Sequence, residues 1–161
     1  MTMTDVEQIR DVLARYCRGV DRCDAELLRS VYHPGAVDDH GIFKGSAEEF
    51  VDVVLPGLLD TWAATMHVLG QSVIDVRGES ADVETYFVAY HRRGADDETW
   101  LDTFGGRYVD RFEQRDGAWK IAHRVVVHEW SKVEQVEMTF PTDGFALGVR
   151  GRADVAYGTA Q

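Results

Sequence analysis

The order of two periodicities along the chain constrains the fold more than any other feature of the sequence. Before residue 62, outside a hairpin-like stretch at 36–45, apolar side chains recur at every third or fourth position, as in amphipathic helices. Four long segments rich in β-branched and aromatic residues follow, at 65–76, 81–93, 100–114 and 118–130. Helices gathered ahead of such strands predict an α+β domain, in which three helices pack on a curved antiparallel or mixed sheet and enclose a pocket.

Helix starts are marked by capping signals. The stretches 4–7 and 46–49 are capping boxes, in which a hydroxyl and a carboxylate satisfy N–H groups that a helix start leaves free. They begin the first and third helices, and Asp24 is the expected N-cap of a short second helix. Pro56 lies inside the third helix, where we expect a kink or an early break.

The length of the chain corresponds to one domain. The sequence has 161 residues, against about 150 residues for a typical domain. We place this domain at 1–131. The remainder, 132–161, is rich in glycine, and we expect an irregular tail that packs on the domain or on a neighbouring subunit.

Charge and composition narrow the possible partners. The chain has 17 Lys and Arg residues against 28 Asp and Glu residues, which gives a formal net charge of −11. This balance argues against a nucleic-acid partner, since phosphate binding needs clustered cations, and it disfavours anionic membranes. No apolar run approaches the ~20 residues of a membrane span, and the polar N-terminal segment is unlike a secretory signal. The two cysteines of the chain form no disulfide framework, and we expect a cytoplasmic protein.

Asp21 and His67 are the candidates for proton transfer. Asp21 lies at the margin of the buried face of the first helix. His67 begins the first long strand, and alternation places it on one face with Gln71 and Val73. If Asp21 and His67 meet across the pocket, they form a general base with its orienting carboxylate. Both residues also have a structural interpretation. His67 could be a half-buried histidine bonded to backbone, and Asp21 could help to end one helix and start the next.

Arg124 is a third candidate, on the last strand. It lies among apolar neighbours, where its charge must find a partner. One interpretation is a structural ion pair with a carboxylate such as Asp21 or Glu129. The other is catalytic, with Arg124 binding a leaving group or a developing oxyanion.

Metal and nucleotide chemistry have little support. The segment 38–40 with His33 contains possible ligands, but we expect this turn to be exposed to solvent. His123 and His128 are five residues apart on a strand and point to opposite faces. The chain has no dinucleotide-binding or phosphate-binding glycine motif and no nucleophile elbow. We therefore predict no metal and no cofactor.

A pocket in this fold would have aromatic walls. We expect six aromatic side chains to contact the substrate: Tyr16, Tyr32, Trp62, Tyr86, Phe104 and Tyr108. Such walls suit an apolar, cyclic or aromatic small molecule with a few hydroxyl groups.

Three segments, 16–21, 66–71 and 105–121, resemble the SnoaL-like branch of the nuclear transport factor 2-like superfamily, and the resemblance covers roughly residues 5–131. Asp21 and His67 occupy the positions of the Asp–His dyad in hexachlorocyclohexane dehydrochlorinase and scytalone dehydratase. Arg124 matches the active-site arginine of the dehydrochlorinase. The resemblance implies a cone-shaped, cystatin-like α+β barrel and cofactor-independent elimination, with His67 as the base.

Two departures from the dehydrochlorinase pattern favour an oxygenated substrate over a halide. Tyr16 replaces a lysine of that family, and Gln71, which we include among the substrate-binding residues, replaces an asparagine. The superfamily also contains isomerases, polyketide cyclases, retro-aldol C–C lyases and non-catalytic binding proteins. We therefore expect a dehydratase-like lyase and keep these other activities as alternatives.

The strand faces suggest self-association. Val83, Phe87, Val125 and Val127 make the strand faces partly apolar. Because an exposed apolar sheet face usually marks an interface, we expect a homotrimer or a homodimer, and the family shows both.

Overall fold

The computed structural model describes residues 3–94, 98–137 and 139–158. Three helices precede most of the sheet, which confirms the predicted element order. The helices are α1 (Asp5–Asp21), α2 (Ala25–Ser30) and α3 (Ala47–Thr61). The strands are β1 (Tyr32–Asp39), β2 (Lys44–Ser46), β3 (Ala64–Arg77), β4 (Ser80–Arg93), β5 (Trp100–Arg115) and β6 (Ala118–Gln135). Two short 3₁₀ helices follow, at Gly151–Ala153 and Val155–Tyr157.

The six strands form one mixed sheet in the order β2-β1-β6-β5-β4-β3. All neighbours are antiparallel except β1 and β6, which are parallel. The predicted α+β class is confirmed. The sheet is open, with β2 and β3 as its edges, so that it is not a closed barrel.

The predicted capping groups begin all three helices. Thr4 and Ser46 accept hydrogen bonds from the backbone N–H of Glu7 and Glu49, and Asp24 caps α2. The expected early break at Pro56 does not occur, because α3 continues through it to Thr61. The buried faces of α1 and α3 cover the sheet and form a core with it.

A β-bulge reverses the facing of β3 halfway along the strand. The register with β4 shifts between Leu69 and Ser72. His67 and Leu69 are partly buried before the bulge and Ser72 after it, whereas Gln71 and Val73 are exposed. The prediction that these two share the face of His67 is therefore wrong, because the extra residue inverts the alternation of the strand.

The apolar outer face of the sheet has a different composition from the one we expected. Val83 and Phe87 are buried in the core. Large apolar side chains that the sheet exposes include Met66, Val68 and Trp130.

The chain beyond β6 packs on the junction of α1 and α2. β6 itself extends to Gln135, past the expected domain boundary at 131. Arg22 forms an ion pair with Asp154, at 2.9 Å, and its carbonyl accepts the backbone N–H of Gly151. None of the helices in the described part of the chain is long and apolar enough to cross a membrane.

Candidate active site

A cavity of about 230 Å³ lies between the helices and the sheet. Most of its lining is apolar, and the polar atoms come from three histidines and two tyrosines. The lining residues are Tyr16, Val20, His40, Ile42, Phe43, Phe50, Val54, Leu58, His67, Phe87, Ala89, His91, Phe104, Tyr108 and Val126. A small, largely apolar cavity with a few polar groups is typical of a small-molecule site.

Asp21 and His67 meet at one wall of this cavity. The last residue of α1 places the Asp21 carboxylate against the start of β3. One oxygen, Oδ1, lies 2.7 Å from Nδ1 of His67, and the other accepts the His67 backbone N–H at 2.8 Å. Because two contacts fix the carboxylate, it holds the proton of a neutral His67 on Nδ1 and leaves Nε2 able to accept a proton.

The environment keeps Asp21 ionised. Burial raises the pKa of its carboxyl, but the hydrogen bonds from the His67 ring and backbone and the charge of that ring together lower the pKa below its ordinary value. Asp21 is therefore a carboxylate at neutral pH, which is the form that stabilises an imidazolium on His67.

His91 is the second imidazole at this wall, and sequence reasoning missed it. Its ring lies 5.7 Å from that of His67 and 5.2 Å from that of Trp62, measured between centroids. Burial, followed by the charge of His67, lowers the pKa of His91 to about 4. His91 is thus neutral near pH 7 and adds no competing positive charge beside His67.

This low pKa predicts that the protein loses stability as the pH falls from 6.5 to 4. In that window the unfolded chain protonates His91 and the folded chain does not, so that protons favour unfolding. At about 1.4 kcal/mol for each pKa unit, the loss from His91 is about 3 kcal/mol. Urea unfolding across this range should show a smaller loss for His91→Gln than for the wild type. The exposed control His123→Gln should retain the full loss; equal slopes in all three proteins would contradict the prediction.

Arg124 is fully buried and forms an ion pair with Asp110, its neighbour across β5 and β6. Its Nε and Nη2 donate to the two carboxylate oxygens at 2.8 and 2.7 Å. The guanidinium lies over the rings of both Tyr16 and Tyr108, 4.0 Å from each centroid. Although burial opposes the charge, Asp110 raises the pKa of Arg124 well above its ordinary value. Arg124 is thus held behind two residues that line the cavity, Tyr16 and Tyr108.

The expected partners of Arg124 are engaged elsewhere. Asp21 binds His67, and Glu129 accepts from Nε of Arg107 at 2.7 Å. Arg124 is not among the residues that line the cavity. Its position therefore corresponds to a structural ion pair and not to a catalytic role at the substrate.

The structure brings three of the predicted aromatic residues to the cavity. Tyr16, Phe104 and Tyr108 form part of its wall. Tyr108 stacks on Phe87, with 4.0 Å between centroids, and the ring of Phe104 is nearly parallel to that of Phe87 at 5.6 Å.

Four other predicted residues lie outside the cavity. Tyr32 is packed behind Tyr16, and its hydroxyl donates to Asp38. Trp62 caps the C-terminus of α3 and lies beside His91. Tyr86 is 44% exposed, because it alternates with Phe87 on β4, and Gln71 lies at a surface depression with its neighbours on β3. Strand alternation and the bulge account for the last two positions.

A second Asp–His pair, Asp38 with His40, contributes to the cavity and was missed. Sequence reasoning treated the segment 38–40 as an exposed turn, but Asp38 is fully buried and His40 lines the cavity. The available signal was strand alternation, since Asp38 follows the small apolar Ala36 by two residues on β1.

Other chemistries find little support at the site. Burial raises the pKa of the Cys17 thiol to about 12, so this cysteine is not a thiolate nucleophile. Within residues 3–94, 98–137 and 139–158, no cluster of three His, Cys, Asp or Glu side chains has the arrangement of a metal site.

Several solved structures share this fold. A candidate scytalone dehydratase from Novosphingobium aromaticivorans is 21% identical, with 89% of this chain and 95% of that chain covered and a TM-score of 0.70. A hexachlorocyclohexane dehydrochlorinase, LinA-type3 from Novosphingobium barchaimii, is 17% identical over 83% and 92% of the two chains, with a TM-score of 0.68. A Nostoc punctiforme protein of unknown function with a cystatin-like fold is 17% identical over 80% and 96%, with a TM-score of 0.61.

At these identities the structural likeness shows the fold alone. No curated protein matches the chain by sequence. The family model that describes the SnoaL-like domain matches residues 1–125. This range includes all three helices, the strands β1 to β5 and both residues of the Asp21–His67 pair. The chain therefore belongs to the SnoaL-like family.

Proposed function

We propose that this protein is a cofactor-independent lyase that removes water from a small hydroxylated cyclic or aromatic compound. One observation carries the proposal: the Asp21–His67 pair is hydrogen-bonded at 2.7 Å, and its imidazole lines an otherwise largely apolar cavity. Relatives of this fold named for dehydratase and dehydrochlorinase activity support an elimination.

The reaction begins with proton removal from carbon. His67, neutral and protonated on Nδ1, accepts the proton on Nε2, and the adjacent Asp21 stabilises the imidazolium that forms. A histidine can remove such a proton when a carbonyl group lies next to the carbon, because the charge moves onto oxygen. The electron pair then forms a C=C bond as the C–O bond to the hydroxyl breaks, and the hydroxyl takes up a proton and leaves as water.

The cavity restricts the size of the substrate. Its volume of about 230 Å³ is below the ~300–1,000 Å³ that is typical of ligand pockets, and it therefore suits a compound of no more than one or two rings. Stacked Phe87, Phe104 and Tyr108 provide flat apolar walls for such rings. A bicyclic β-hydroxyketone combines the acidic C–H, the leaving hydroxyl and the ring size in one molecule.

The test uses 3-hydroxy-1-tetralone, which yields fluorescent 1-naphthol when it loses water. We expect the wild-type protein to form 1-naphthol faster than buffer does, and to exchange the α-protons of 1-tetralone for deuterium in D₂O. Exchange without loss of water would favour an isomerase or cyclase that uses the same base. Loss of formaldehyde from a hydroxymethyl ketone, instead, would favour a C–C lyase. Binding of the compounds without exchange or product would contradict an enzymatic function and indicate a binding protein.

A further inference from the structure

We propose that His40, acting through the hydroxyl of Tyr16, is the proton donor to the leaving oxygen. This inference rests on the proposed elimination and assigns its second proton transfer. The Asp21–His67 pair accounts for removing a proton from carbon. It does not account for protonating the hydroxyl, and Arg124, the other candidate for that oxygen, is engaged with Asp110 behind the cavity wall.

A continuous chain of hydrogen bonds carries the assignment. His40 Nε2 lies 3.1 Å from the hydroxyl oxygen of Tyr16, and its Nδ1 is hydrogen-bonded to Oδ1 of Asp38. The second oxygen of Asp38 accepts the hydroxyl of Tyr32 at 2.5 Å. The His40 ring stacks on Phe50, with 4.3 Å between centroids, so that its orientation is fixed. Both His40 and Tyr16 line the cavity.

The basic side chain that contacts the buried carboxylate of Asp38 is His40. Asp38 and Asp110 flank Arg124 in register, on the two strands adjacent to β6. Arg124 neutralises Asp110 in a bidentate ion pair, which leaves the carboxylate of Asp38 without a full positive charge. The Asp38 side chain is completely buried, and His40 is the basic group that contacts it. Because a buried carboxylate is costly unless a cation accompanies it, we assign to His40 the proton that offsets the charge of Asp38.

Tyr16 can pass this proton on while it remains neutral. Burial raises the pKa of Tyr16 far above its usual range, so that the phenol keeps its hydrogen. When Nε2–H of His40 donates to the phenol oxygen, the phenol O–H is free to donate into the cavity. In the elimination, Tyr16 gives its proton to the departing hydroxyl and takes one from His40. The substrate loses one proton to His67 and gains one on oxygen, so that the products are an unsaturated ketone and water.

The acid and the base approach the cavity from opposite edges of the sheet. His67 is on β3, one edge strand, and His40 lies between β1 and β2, which end the sheet at its other edge. A substrate between them can present its C–H to one and its hydroxyl to the other. Two separate groups are therefore available for the two proton transfers.

The test separates leaving-group protonation from proton abstraction. His40→Gln and Tyr16→Phe would be assayed with 3-hydroxy-1-tetralone, with 3-chloro-1-tetralone, whose chloride leaves without a proton, and by deuterium exchange of 1-tetralone. We expect both variants to lose about 10²-fold or more on the hydroxy compound. Elimination of chloride and deuterium exchange should stay close to wild type, which also shows that the variants are folded. Asp38→Asn, at a positioning residue, should show the same selectivity. His123→Gln and Tyr90→Phe are matched controls.

Several outcomes would overturn the inference. Equal losses on the hydroxy and chloro compounds would assign His40 and Tyr16 to structure or to the enolate oxygen, as would loss of exchange in both variants. Wild-type dehydration in either variant would exclude the relay. A wild-type protein that shows neither exchange nor elimination would contradict the proposed function itself, and this inference with it.

Discussion

Asp21→Asn is expected to lower the rate of water elimination and of deuterium exchange by about 10²–10⁴-fold, with little effect on folding. His67→Gln should lower both rates at least as far. The reason lies in the two contacts of the Asp21 carboxylate, to the ring Nδ1 and to the backbone N–H of His67. An asparagine has only one acceptor oxygen for these two positions.

The backbone contact decides how the asparagine is oriented. Its carbonyl oxygen accepts the His67 backbone N–H, because the amide NH₂ in that place would set two donors against each other. The NH₂ group then faces Nδ1, which must accept, and the imidazole hydrogen moves to Nε2. In that tautomer the nitrogen that faces the substrate cannot take a proton. The imidazolium also loses its adjacent carboxylate.

The measurement is the rate of 1-naphthol formation from 3-hydroxy-1-tetralone together with the exchange of 1-tetralone. Asp11→Asn, on the same helix and partly exposed, is the matched control and should retain wild-type rates. If Asp21→Asn or His67→Gln kept near wild-type rates with a true substrate, the assignment of the base would fail.

Arg124→Met is expected to destabilise the protein by about 3–5 kcal/mol, because it leaves the buried carboxylate of Asp110 without a partner. Arg124 and Asp110 have fully buried side chains, so solvent cannot replace the lost hydrogen bonds. The variant also loses the stacking of the guanidinium on Tyr16 and Tyr108. Both effects act on the wall of the cavity.

The double variant Arg124→Met with Asp110→Leu is the informative control. Replacing both partners of a buried ion pair with apolar residues is often neutral, since no charge is left unpaired. We expect it to recover most of the stability, measured as the free energy of unfolding in urea at pH 7. Arg77→Met, at an exposed ion pair, should change stability little. A loss below about 1 kcal/mol in Arg124→Met would contradict the prediction, as would a double variant no more stable than the single one.

Local signals in the sequence were enough to predict most of the elements. Capping boxes and apolar periodicity act within a few residues, and they placed the starts of α1 and α3 correctly. The four long strands were predicted with ends within a few residues of those observed, apart from the longer β6. The parallel pairing of β1 with β6 joins residues about 90 positions apart, and no local pattern specifies it.

The same division between local signals and long-range contacts separates the site residues that were predicted from those that were misplaced or missed. His67 and Asp21 were named from residue type, position and family resemblance, and the structure places them in hydrogen-bonding contact. Gln71 was misplaced because a bulge shifts the strand by one residue, which turns a side chain to the other face. His40 was missed because burial of a turn depends on what packs over it, here Phe50 of α3.

By itself, the sequence determined the α+β class, the capped helices, the strand segments and the residue types available for proton transfer, since these depend on local periodicity and side-chain chemistry. Only the tertiary structure decided which of those residues face one cavity. Arg124 illustrates the distinction: its charge demanded a partner, but the register of β5 and β6 selected Asp110. A buried charge takes the partner that lies opposite in the sheet, and that choice depends on strands distant in the sequence.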